Sequence, residues 1–445
     1  MLNRSIKPTP TGKIQFLTPK IENLTLYNSV KVFFNKKDTL PIIQMNLIIP
    51  SGSIYNPVGK EGLSYLTSLL LDEGADNLSG FEISDKLELM GSILNINSNK
   101  EFTTISLLCL KEKFEESLEI LSKIILHPSF HNEDFDRQKL KLITKNIQLE
   151  DDPSYVASNF FNKNIFQNTK YQFPSSGINS SIESLTNLDV KDFFSQRYLP
   201  NGSFIIIVGN LEKNNALNIL NKYFEKWKPQ ENKNQTDEKI IPNKKIIVVN
   251  KPEAVQSELR IGHFSKGRNS EDFYARSILN SILGGQFSSR INLNLREAKG
   301  FTYGAHSNYN YNSIGSTFSV ATSVKSENTG DAIKEILFEL NEIKNTIHQS
   351  EIDFAKSYLV RRYPSMFETY SQIASNISLI PLFNLPNNYF ENYIQKISDV
   401  EKNDLLNAAK ENIDFSKLLI VIVGDVNLIK NQLQQFEDFE KEEIS

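Results

Sequence analysis

Phe204-Ile205-Ile206-Ile207-Val208-Gly209-Asn210-Leu211 and Leu418-Leu419-Ile420-Val421-Ile422-Val423-Gly424-Asp425-Val426 are the stretches on which the fold of this chain turns. Each is an apolar run of strand length that ends in a glycine turn. A helical pattern follows each, through Leu217, Leu220 and Phe224 in the first case and through Leu433 and Phe436 in the second. Polar helical segments, Val190 to Tyr198 and Val400 to Asn412, precede them. Gly209 and Gly424 stand about half a chain apart, which reads as an internal duplication. A length of 445 residues agrees, since it exceeds what one hydrophobic core usually organises.

Outward from these strands, each half mixes helices and strands. Asn23 to Val32 and Pro41 to Pro50 read as an N-terminal hairpin. Leu63, Leu66 and Leu70 stripe one helix, Ile83, Leu87 and Met90 a second, and Phe114, Leu118, Leu121 and Ile125 a third, with strands between Ile93 and Leu110. The second half repeats the order. Asp272 to Leu283 is a helix ended by Gly284-Gly285, and Ser288-Ser289 can cap the next, which stops at Gly300. Strands follow, with Phe318, Val320, Thr322 and Val324 on one face, then a helix striped by Ile333, Ile336, Leu340 and Ile343. The fold class is therefore α+β, with two homologous domains, each a largely antiparallel sheet packed with helices. The polar, aperiodic stretch from Pro229 divides them: residues 1–228, a linker at 229–240, and residues 241–445. Two similar lobes are expected, facing each other or a partner across a polar cavity.

Composition narrows the function. With 39% hydrophobic and 23% charged residues and no apolar run of about 18 residues, membrane insertion is not expected. A formal net charge of -4, with Lys and Glu interspersed, supplies no field for nucleic acid. The single cysteine, Cys109, sits in an apolar run and reads as a small buried hydrophobe. The polar start, Met1 to Gly12, lacks the apolar core of a secretory signal, so the expected location is cytoplasmic, or periplasmic if a signal peptide was removed.

Several segments resemble the pitrilysin/insulinase family of inverted zincins, whose members bind zinc through H-x-x-E-H. They are Gly62-Leu63-Ser64-Tyr65-Leu66-Thr67-Ser68-Leu69-Leu70-Leu71-Asp72-Glu73-Gly74, Glu88-Leu89-Met90-Gly91, His127-Pro128-Ser129-Phe130, Asp151-Asp152-Pro153 and Pro200-Asn201. The most specific is Gly284-Gly285-Gln286-Phe287-Ser288-Ser289-Arg290 through Asn294-Leu295-Arg296-Glu297-Ala298-Lys299-Gly300-Phe301-Thr302-Tyr303-Gly304. The resemblance implies paired α+β domains and an activity on polypeptides.

The departure is as informative. Where active members carry H-x-x-E-H, this chain has Tyr65-Leu66-Thr67-Ser68-Leu69, and Lys145 stands in the region of the third ligand. Tyr65, Leu69 and Lys145 cannot rebuild a zinc site, and Ser68 cannot act as the carboxylate base. Of the five histidines, His127 and His131 have a ligand-like spacing, but Pro128 breaks a helical pairing and surface positions suit them better. His263 and His306 lie on expected strands and could meet in space.

In the same family an arginine and a tyrosine of the motif R-x-x-x-x-x-x-Y reach into the active cavity, and Arg296 and Tyr303 have that spacing. Both donate hydrogen bonds, as a developing oxyanion requires. The plainer reading gives Arg296 a neighbouring carboxylate and makes Tyr303 one more core aromatic; inside this motif the functional reading is preferred. The resemblance thus implies a non-catalytic subunit with no cofactor in this chain. It would pair with a homologous H-x-x-E-H-bearing subunit that holds zinc, and act in trans on unfolded peptides. A structural or peptide-binding protein of the same fold is the alternative.

Overall fold

The computed structural model describes residues 16–230 and 244–444, together with residues 12, 14 and 240; the expected linker at 229–240 lies largely outside them. In the first half, strands β1 (Glu22–Thr25), β2 (Lys31–Lys36), β3 (Ile42–Ile49), β4 (Ile93–Ser98), β5 (Thr103–Leu110) and β6 (Phe204–Gly209) make one sheet in the order β1-β2-β6-β3-β5-β4. In the second half, β7 (Lys245–Asn250), β8 (Gln256–Ser265), β9 (Ala305–Asn312), β10 (Gly315–Lys325), β11 (Leu419–Gly424) and β12 (Glu440–Ile444) make another, in the order β9-β10-β8-β11-β7-β12. The duplication is legible in the pairing. β2 runs parallel to β6 with Lys36 opposite Gly209, and β7 runs parallel to β11 with Asn250 opposite Gly424. The next neighbours, β3 beside β6 and β8 beside β11, are antiparallel in both sheets. Only the outer edge differs, because β1 is antiparallel to β2 whereas β12 is parallel to β7.

Three sequence expectations need correction. The N-terminal strands do not form a hairpin from Asn23–Val32 with Pro41–Pro50: β1 and β2 pair with each other, and β6 lies between β2 and β3. The pattern after Gly424 is not one helix but a short turn of helix, Val426–Ile429, followed by a 3-10 turn at Gln432–Gln435. The two halves also meet each other through apolar clusters, so of the two expected arrangements only a polar cavity facing a partner is left open.

Those clusters explain why β6 and β11 are apolar at every position. In the first half α1 (Leu63–Leu70), α2 (Gly80–Leu89), α3 (Phe114–Leu126), α4 (Asn132–Glu150), α5 (Pro153–Ile165), α6 (Asn187–Arg197) and α7 (Lys213–Phe224) follow in order. In the second come α8 (Phe273–Leu283), α9 (Thr329–Glu342), α10 (Gln349–Arg362), α11 (Tyr370–Leu382), α12 (Tyr393–Asp399) and α13 (Lys402–Asn412). Ile205 and Ile207 face the core made with the helices of their own half, but Phe204, Ile206 and Val208 pack with Ile373 and Ile377 of α11. Reciprocally, Ile420 and Ile422 face their own helices while Leu419 and Val421 pack with Phe161 and Ile165 of α5. Helices in equivalent chain positions are thus exchanged between halves. A strand buried on both faces must be apolar throughout, and each large side chain so covered stabilises by about 1.5–3 kcal/mol. Among the described residues no helix is long and apolar enough to cross a membrane. Cys109 is buried, and burial pushes its thiol up to about 12.

Candidate functional site

Helix α1 is built by its leucine stripe, with Leu63, Leu66 and Leu70 all inside the first core. It opens at Gly62, whose φ of 111° a side chain would resist; an added Cβ would also stand 2.8 Å from Ile182. Ser64 fixes the helix start, its N–H donating to Asn56 Oδ1 at 2.8 Å and its hydroxyl to the Ser51 carbonyl at 2.6 Å. Helix α4 lies alongside, held by Lys139, which donates to the carbonyls of Glu183 and Leu185 at 2.8 and 2.9 Å.

This geometry brings two of the expected positions together. Lys145 on α4 donates to the Tyr65 hydroxyl at 3.1 Å, with its ammonium 5.4 Å from the ring centre. Leu69 follows Tyr65 one turn later, and Ser68 turns its hydroxyl back to the Tyr65 carbonyl at 2.7 Å. Two of the expected positions thus come from α1 and one from α4. A phenol, an alkyl chain and an ammonium supply no ligand set for zinc, and the ammonium adds positive charge where a cation would sit. The residues present do not fit the metal. Among the described residues no three His, Cys, Asp or Glu side chains form a metal-sized group.

The histidines divide as the strand registers dictate. His263 on β8 is opposite Phe318 and His306 on β9 is opposite Ala321, so three positions of β10 separate them and they point to opposite faces. The expectation that they could meet is overturned by that odd offset. His263 is buried, with Nδ1 3.0 Å from the Phe264 carbonyl and Nε2 accepting from the Asp414 N–H at 3.4 Å; burial lowers its pKa. His127 and His131 lie exposed at the two ends of the turn between α3 and α4.

Arg296 lies in the last turn of a π-helical segment, Leu293–Ala298, and Tyr303 two residues before β9, after the turn at Gly300 with φ 67°. The guanidinium of Arg296 stacks 4.5 Å over the Phe287 ring, and its Nε is 3.6 Å from Glu297, too long and too exposed to be a strong pair. Tyr303 is 94% exposed, so it is not a core aromatic. The two side chains are not joined to each other or to the Tyr65–Lys145 pair.

Two residues of this turn escaped the sequence reading. Asn292 is buried and clips both ends of the motif, donating to the Phe287 carbonyl at 2.7 Å and accepting from the Ala305 N–H at 3.0 Å. Phe287 is the platform under Arg296. Asn292 and Asn294 alternate with Ile291, Leu293 and Leu295, so the pattern did not single out the first; Phe287 stood inside the quoted stretch but carried no role there. Ser289 occupies the expected cap position, but its hydroxyl caps nothing.

Two duplicated α+β halves, with Tyr65 and Lys145 paired between α1 and α4, are thus defined, and comparison places them. Residues 31–177 match the sequence model of Insulinase (Peptidase family M16) and residues 184–359 that of the Peptidase M16 inactive domain, together more than half of the chain. The chain belongs to the M16 peptidase family. It is 25% identical to the non-peptidase homolog YmxG of Helicobacter pylori, over 88% of this chain and 91% of that protein. It is 22% identical to the zinc protease PqqE of the same organism, over 89% and 91%. The crystal structure of a peptidase M16 inactive domain from Pseudomonas fluorescens superposes with a TM-score of 0.86 at 24% identity, covering 91% of this chain and 98% of that one, which shows a shared fold.

Proposed function

We propose that this chain is the non-catalytic half of a heterodimeric zinc metallopeptidase, supplying Arg296 and Tyr303 in trans to a zinc-bearing H-x-x-E-H subunit that hydrolyses unfolded peptides. The observation that carries the reading is Tyr303, a phenol 94% exposed at the end of a turn clipped by the buried Asn292. The fold fixes the backbone on both sides of it and leaves the side chain turned to the outside. Relatives of both kinds, one named a non-peptidase homolog and one a zinc protease, come from one organism, which suits a division of labour.

In this arrangement the guanidinium and the phenol donate to the carbonyl oxygen as it gains charge, each contributing about 3 kcal/mol to the transition state. The Phe287 ring supports the guanidinium from one side. In the assembled pair, Arg296→Ala or Tyr303→Phe lowers turnover at saturating peptide by roughly 10²-fold while the dimer sediments unchanged. Full turnover in both assembled variants would refute the role. The chain alone should bind no stoichiometric zinc and show no chelator-sensitive hydrolysis.

The second reading, a structural or peptide-binding protein of the same fold, is favoured by one observation: Arg296 lies down on Phe287 and Glu297 instead of projecting. It predicts normal assembly with no change in turnover.

A further inference from the structure

A groove of about 1110 Å3 opens in the second half between residues 266–272, the start of α8, α13 and residues 384–389. Arg268 lies on its wall with its guanidinium 4.8 Å from the ring centre of Phe273, 5.5 Å from Tyr311, and 5.7 Å from both Phe383 and Tyr389. Its Nη2 donates to the Tyr389 hydroxyl at 3.3 Å, its buried Nε has no partner, and among the described residues it is in no ion pair.

The acids nearby are engaged elsewhere. Asp272 accepts from Ser270 at 2.7 Å, Arg276 at 3.1 Å and Asn412 at 2.8 Å. Lys266 holds Glu411 at 2.8 Å, Gln395 donates to Asp399 at 2.6 Å, and the Glu401 N–H donates to Asp404 at 2.8 Å. Glu271 lines the groove without pairing to Arg268. The loop itself is fixed from below. Arg276, fully buried, donates to the carbonyls of Lys266 and Gly267 at 3.1 and 2.7 Å. The Arg268 guanidinium thus lies among rings with no carboxylate on it, and aromatic faces meet only part of its charge. An anion entering the groove would complete it, on a loop already organised to receive one.

The walls indicate the rest of the ligand. Phe273, Tyr274, Leu385 and Tyr389 offer apolar and aromatic surface, and Asn384 and Asn407 offer side-chain amides that match a peptide backbone. The volume lies at the upper end of, or beyond, the roughly 300–1,000 Å3 of small-molecule pockets. We propose that this groove binds a short peptide by its carboxyl terminus, with the carboxylate on Arg268 and the last side chains against Phe273, Tyr274 and Tyr389. The site goes beyond the function proposed above and needs no partner subunit, so its failure leaves that reading untouched.

The test uses the full chain alone and fluorescence anisotropy. The probes are fluorescein-labelled Gly-Ala-Leu-Phe with a free carboxyl terminus, its C-terminal amide, and an amide carrying an internal aspartate. The free acid should bind at least about 10-fold tighter than either amide, the discrimination expected when a charged hydrogen bond is lost. Arg268→Gln should abolish the difference. Because Arg268 also packs on rings, Asn407→Trp, at an exposed position of α13 on the groove wall, provides a second variant; it should weaken binding of the acid about 10-fold with an unchanged melting temperature. Equal affinity for acid and amide, or full affinity in a folded Asn407→Trp protein, overturns the proposal. Equal binding of the aspartate-bearing amide overturns the assignment of a terminal carboxylate.

Discussion

Lys145 and Tyr65, which the family resemblance sets in the region of the zinc ligands, meet at 3.1 Å, and this opens the proposed site to a test by reconstruction. Positions 65 and 69 are one turn apart on one face of α1, the spacing that lets two histidines share a metal. The combined replacement Tyr65→His, Ser68→Glu, Leu69→His and Lys145→Glu should therefore bind one zinc per chain after dialysis, by metal analysis. A metal-free product would show that α1 and α4 have closed on each other. Asp272 offers a second test at this scale. Burial would raise its pKa, but the hydrogen bonds from Ser270 and Asn412 and the charge of Arg276 hold it at about 2, below the ordinary 3.8. A depressed carboxylate stabilises the fold above its unfolded value and loses that contribution as pH falls through the folded one. Stability should drop between about pH 4 and pH 2, and Asp272→Asn should be less stable at pH 7 with a flatter slope in that window, by urea titration.

Helix α11 shows what an element can hide. Thr369 and Gln372 form a capping box at its start, but the surface it covers belongs to the other half of the chain. Ile377 is fully buried against the first sheet, so Ile377→Ala should cost about 2–5 kcal/mol. Because α11 joins both halves, the loss should appear as one cooperative transition shifted as a whole. Two transitions, with only the second-half one moved, would contradict that coupling. The misread hairpin has the same origin. The local pattern merges β1 with the start of β2 and marks β3, but the separation of β2 from β3 by β6 is set by residues far along the chain, and no local pattern encodes that pairing.

For the whole molecule, the exchanged helices predict that the two domains we propose, residues 1–228 and 241–445, fail as separate proteins. Each would leave one sheet face bare, with Phe204, Ile206 and Val208 exposed in the first and Leu419 and Val421 in the second. Expressed alone, each fragment should aggregate or lack a cooperative melt; coexpressed, they should recover a single folded complex. The sequence by itself determined the two apolar strands that end at Gly209 and Gly424, the repeat they mark and the absence of H-x-x-E-H, because apolar runs, periodicity and donor chemistry are local properties of residues. The lost H-x-x-E-H needs no coordinates. Tertiary structure alone decided that Tyr303 is exposed while Arg296 rests on Phe287, that His263 and His306 face apart, and that α5 and α11 trade places. Each depends on register or packing between segments distant in the chain, where the deciding quantity is which surface lies opposite, and a linear pattern of residues does not carry it.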